Sequence, residues 1–114
     1  MTTYSVRLHA YLDHAQRREV IALISDLLPE RYAPTDMGGS FRTGVFDIWL
    51  TVTADDPSAA GQLAEEALKA TAAEAESRLS GQAPAAAGPP WLSIKEVQAD
   101  EVVFAAGNID LLQG

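Results

Sequence analysis

Few residues in this sequence could do chemistry. The 114-residue chain holds two histidines and no cysteine, which excludes disulfides, thiolate nucleophiles, Fe–S ligation and cysteine zinc sites. His14 adjoins Asp13, with His9 nearby, but a metal site needs three or four converging ligands with further groups to orient them. Asp13 reads better as a helix cap. Gly38-Gly39-Ser40 lacks the Lys-Ser/Thr pair of a phosphate loop and the spacing of a dinucleotide fingerprint, so it reads as a turn. Glu65, Glu66, Glu74 and Glu76 form a solvated helix face, whereas the carboxylates of glycoside hydrolysis converge on a cleft. No serine sits in a G-x-S-x-G elbow. What remains is His9 with Asp47, accompanied by Arg7, Tyr11 and Trp49. A carboxylate orienting an imidazole is the arrangement a general base requires. Trp, Tyr and Arg are also the residue types enriched at interface hot spots.

The elements that must position these residues begin with Thr43 to Ala54, TGVFDIWLTVTA, the expected central strand. Phe46, Ile48, Leu50 and Val52 fall on one face, and Val45, Asp47, Trp49, Thr51 and Thr53 on the other, the period-2 pattern of a strand. Tyr4 to Leu12 alternates in the same way, with Ser5, Arg7, His9 and Tyr11 opposite the apolar set. Asp13 and Gln16 have capping-box spacing. Val20, Ile21, Ile24, Leu27 and Leu28 then form one helical stripe, which Pro29 ends. Glu30 to Gly39 reads mostly as loop. Ser40 to Arg42 is expected to be a short strand, joined to the central one by a Thr43-Gly44 turn.

Asp56 and Pro57 are a cap and first-turn pair for a second helix. Its inner stripe is Ala60, Leu63, Ala64, Ala67, Leu68, Thr71 and Ala75, and it ends near Leu79 to Gly81. Ser80 to Pro90 is an Ala/Pro/Gly connector. Trp91 to Val97 is a further strand with Leu92 and Ile94 in the core, and Glu101 to Ala105 is a candidate extra strand. Residues 1–106 are expected to form one domain and 107–114 a tail. The order β-α-β-β-α-β is that of an α+β, ferredoxin-like sandwich. It carries an antiparallel sheet with strands one and three central and both helices on one face.

Composition narrows the function. A hydrophobic fraction of 47% supports a core, and 114 residues suit one domain. The balance of 8 basic against 16 acidic residues, net −8 with a pI near 4.5, argues against a nucleic-acid partner, which needs clustered Lys and Arg. No stretch approaches a membrane span, and the N-terminus lacks the apolar run of a signal peptide. A soluble, cytoplasmic protein is expected.

In this fold the face away from the helices carries Arg7, His9 and Tyr11 beside Asp47 and Trp49. Phe41 or Arg42 would join from the second strand, and Trp91 or Val97 from the fourth. Such an aromatic face suits burial against something else. The reading is a non-enzymatic binding module without cofactor or metal, forming a homodimer through this face. RRM-type RNA binding uses the same fold, but the basic, Gly/Phe-rich RNA-binding motif is absent from the central strand, and Asp47 repels phosphate. The alternative is a small cofactor-independent enzyme or small-molecule-binding protein of the dimeric α/β-barrel type, with His9 as acid/base.

Three segments, YSVRLHAYL, VFDIWLTVTADDPSAAGQLAEEALKA and WLSIKEV, carry a resemblance to a group of small actinobacterial α+β proteins. In that group a strand of the form x-V-T-L-T-V-x-A-D-D runs into an Ala-rich helix. The resemblance covers most of residues 3–100. It implies the α+β fold and brings no functional motif, so it assigns no site residue.

Overall fold

The computed structural model describes residues 1–13, 17–82 and 88–102, with only the backbone of Arg17. The elements are β1 (Thr2–Leu12), α1 (Arg17–Leu27), a single turn α2 (Pro29–Tyr32), β2 (Asp36–Gly39), β3 (Val45–Ala54), α3 (Pro57–Ser80) and β4 (Leu92–Glu101). Alternation decides the sheet. Tyr4, Val6, Leu8, Ala10 and Leu12 on β1 are buried, as are Phe46, Ile48, Leu50, Val52 and Ala54 on β3. The residues between them are half-buried or exposed. Each large apolar side chain so buried contributes about 1.5–3 kcal/mol.

The four strands are antiparallel in the order β2-β3-β1-β4. With α1 and α3 packed on one face, this is the α+β, ferredoxin-like order expected. Val20, Ile21, Ile24, Leu27 and Leu28 all enter the core, as their spacing requires. Asp56 caps α3 by accepting from the Ala59 N–H at 2.7 Å, and Pro57 stands at the first helical position. At the other end Gly81 adopts the left-handed conformation (φ 76°) and donates to the Ser77 carbonyl, which closes the helix as a glycine can without a Cβ clash.

Several expectations are corrected. The second strand is Asp36–Gly39, and Ser40 to Gly44 forms the turn, with Gly44 N–H donating to the Ser40 carbonyl at 2.9 Å. α1 ends at Leu27, as Pro29 requires, but the segment after it, expected to be mostly loop, opens with the helical turn α2. Leu28 keeps helical angles, and Tyr32 N–H bonds back to the Leu28 carbonyl at 3.0 Å. On α3, Leu63 is exposed and Thr71 half-buried, while Gly61, Ala72 and Ala73 are buried in addition to the other stripe residues. The helix has rolled to present its smallest side chains to the sheet.

The fourth strand departs most. It runs on to Glu101, and its pairing with β1 shifts between His9 and Ala10: Ile94 faces Ala10, Glu96 faces His9, and Lys95 is the extra residue of a bulge. The bulge reverses the alternation. Val97, opposite Leu8, therefore lies on the helix side, within reach of Gly61 on α3. Trp91 lies there too, its indole N–H donating to Glu76. Phe41 packs edge-on against Phe46, with Arg18 over its ring, and Arg42 is exposed in the turn. None of the four belongs to the open face. Gln16 of the expected capping box, the middle of the Ser80–Pro90 connector, most of the candidate Glu101–Ala105 strand and the 107–114 tail lie outside the described residues.

The two adjacent glycines of β2 differ sharply. A Cβ on Gly39 would stand 2.4 Å from the Val45 carbonyl oxygen and 2.6 Å from the Phe46 ring, whereas one on Gly38 would meet nothing within 4 Å. Gly39→Ala is expected to cost about 1–3 kcal/mol in urea unfolding, and Gly38→Ala to stay within about 0.5 kcal/mol of wild type. Equal losses would show that close approach is not what keeps glycine at 39.

Candidate functional site

The open face is set by the β1–β3 register. Thr3 pairs with Thr53, Ser5 with Thr51, Arg7 with Trp49, His9 with Asp47 and Tyr11 with Val45. Because Val6, Leu8 and Ala10 are committed to the core, the residues between them must project to the other side. Arg7, His9, Tyr11, Asp47 and Trp49 thus share one surface.

Within it, three side chains meet. The Asp47 Oδ1 lies 2.8 Å from His9 Nδ1 and 3.2 Å from Arg7 Nε. The His9 contact is direct cross-strand pairing, and the Arg7 contact is a diagonal one. The side chains keep 38% (Arg7), 32% (His9) and 33% (Asp47) of their exposure, so the cluster is open to water and to an approaching molecule.

The hydrogen bond from His9 holds the Asp47 carboxyl below its ordinary value. Partial burial opposes this, and the hydrogen bond and positive charge of Arg7 reinforce it. An ionised carboxylate only accepts. Nδ1 of His9 is therefore the donor in this contact, and Nε2 is the ring nitrogen that Asp47 does not engage. Tyr11 and Trp49 stand on the same face without entering the cluster.

Sequence reasoning missed the neighbours on the outer strands. Glu96 and Gln98 of β4 face His9 and Arg7, and on β2 Gly38 faces Asp47 and Asp36 faces Trp49. The signal for β4 was present: Leu92 and Ile94 share one parity, Val97 and Ala99 the other, and only a bulge puts all four on one side. His14 lies outside the described residues, and among those described no group of three or more His, Asp or Glu side chains could hold a metal ion. No described helix is long and apolar enough to cross a membrane.

The chain matches no family model, no curated protein and no solved structure.

A carboxyl whose folded-state pKa is depressed stabilises the fold above its unfolded value, and the contribution disappears as pH falls through the folded value. Asp47→Asn should cost up to about 1 kcal/mol at neutral pH, the range for ion pairs this open to water. The gap to wild type should close as pH falls from about 4 downward. Urea unfolding at a series of pH values checks this. A gap that persists unchanged to the acid end would assign the stabilisation to something other than the ionised carboxylate.

Proposed function

We propose that this protein is a binding module that self-associates through its open sheet face, as a two-fold dimer of stacked sheets. The observation that carries the reading is charge. The molecule is net −8, so two copies repel wherever their acidic surfaces meet. On the central strands the only formally charged open-face residues are Arg7 and Asp47, and they bond each other. A second copy meets a neutral pair at the centre of the face, with the carboxylates of Asp36, Glu96 and Asp100 set at its borders on the outer strands.

The middle of that face supports the same reading. Arg7 and Trp49 form the central cross-strand pair, flanked on one side by Ser5 with Thr51 and on the other by His9 with Asp47. Hot spots concentrate at the centre of an interface and favour Trp and Arg. The hydroxyl-bearing ends (Thr3, Thr53, Tyr11) suit a polar rim. A soluble, cytoplasmic homodimer with no nucleic-acid partner fits this surface.

A second reading is favoured by one contact. The 2.8 Å hydrogen bond between His9 and Asp47 is what an acid/base site uses. It supports a small cofactor-independent enzyme or ligand-binding protein of the dimeric α/β-barrel type, with His9 as acid/base.

Light scattering after size exclusion, over a range of concentrations, should give twice the 12.2 kDa chain mass. Trp49→Ala should weaken the dimer by about tenfold or more, the loss expected of an aromatic hot spot, with the circular dichroism of the folded monomer retained. A monomeric wild type, or an unchanged dimer in the variant, would remove the face from its assigned role.

A further inference from the structure

We infer that His9, Asp47, Arg7 and Trp49 form a site for a small planar hydroxyl acid, a phenol or an enol, whose proton passes to His9 Nε2. The inference rests on the dimer reading, because the facing sheet supplies the wall that limits water.

The geometry assigns the roles. Asp47 engages Nδ1 at 2.8 Å, so the imidazole acts only through Nε2. It has no nucleophile of its own to activate: the chain has no cysteine, and no described serine or threonine hydroxyl is hydrogen-bonded to His9. With no protein hydroxyl or thiol bonded to it, its partner as a base is a bound molecule or water.

Arg7 gives its Nε–H to Asp47 at 3.2 Å, and its terminal nitrogens make no hydrogen bond among the described residues. The backbones of Arg7 and His9 are one alternation apart on β1, about 6.6 Å at the rise of a strand, and both side chains lean to the same Asp47 oxygen. Trp49 faces Arg7 across the sheet and offers a flat apolar surface. On the β2 side the partner of Asp47 is Gly38, which leaves space beside the carboxylate that any side chain would fill.

The groups around His9 orient the ligand. Asp47 faces it from β3, Glu96 from β4, and Arg7 and Tyr11 flank it on β1. An oxyanion is repelled by Glu96 and drawn to Arg7, so the ring lies toward Trp49 and β3. The step is one proton transfer. The ligand O–H bond breaks, an N–H bond forms at Nε2, and the electron pair stays on oxygen. The imidazolium then faces Asp47 and the oxyanion faces Arg7. No oxidant, metal or second reactant is needed. Asp47 is a positioning residue, since it acts only through His9.

The test uses para-nitrophenol, which is planar and yellow only as the phenolate, added at a pH near its own ionisation, above the ordinary histidine range. The full-length protein should raise the phenolate band saturably. His9→Gln should abolish the rise, and Arg7→Gln should weaken it about tenfold or more, as for a lost hydrogen bond to a charged group. Ring-nitrogen NMR of the wild type should show Nδ1 bonded to Asp47 throughout and Nε2 gaining a proton on the addition. Asp47→Asn should weaken that bond at Nδ1.

No saturable band, or an equal band in His9→Gln, would overturn the site. An unmoved Nε2 resonance would do so without any variant. Light scattering of the same samples separates the two readings. A dimer without the band overturns this site alone, a monomer with the band overturns the self-association and the wall assigned to the facing sheet, and a monomer without it overturns both.

Discussion

Burial of the helix side of β1 is the constraint on which the rest of the molecule depends. Val6, Leu8 and Ala10 have no exposed surface, and β1 is the strand against which both β3 and β4 find their register. A slip of one residue would turn that apolar row out to water and bring Arg7 and His9 into the core. The charged cluster therefore exists because of the apolar one. Arg7 and His9 project to the open face for want of any other direction, and β3, fixed by the same logic through Ile48 and Leu50, brings Asp47 to meet them.

The cluster illustrates how a partly exposed ion pair earns its place. At this exposure its contribution to folding is small. Its larger effect is on the surface potential. One carboxylate accepts from two donors on the neighbouring strand, and the charges of Asp47 and Arg7 cancel on the two central strands of a strongly acidic protein. Fold stability and surface character thus come from different sides of the same two strands.

What was legible in the sequence was local or periodic. The alternation of β1 and β3, the stripe from Val20 to Leu28 and the Asp56-Pro57 start are each decided within a few residues of chain, and each stands in the structure. The strand Asp36–Gly39 was not legible, because four residues with two glycines have no alternation to detect. Its place depends on Gly39 lying tight against Val45 and Phe46, which is information held by a different strand. The exposure of Leu63 was missed for a related reason. Spacing defines a helical stripe, but the close approach that alanine and glycine permit decides how the helix rolls. For the candidate site, strand parity put His9 and Asp47 on one face. Their contact required the register, which no single strand encodes.

The bulge at Lys95 also bears on how far the sheet can grow. Among the described residues β4 is an outer strand whose neighbour in the sheet is β1, and a ten-residue strand with a regular edge would be a template for any extended chain. The extra residue breaks that template. A strand laid along β4 would have to carry an irregularity of its own opposite Lys95, or give up its bonds on one side of it, and it would also meet Glu96, Asp100 and Glu101. Edge-to-edge addition, which has no natural stopping point, is disfavoured here by a single inserted residue. Contact through the flat face ends once two copies have met.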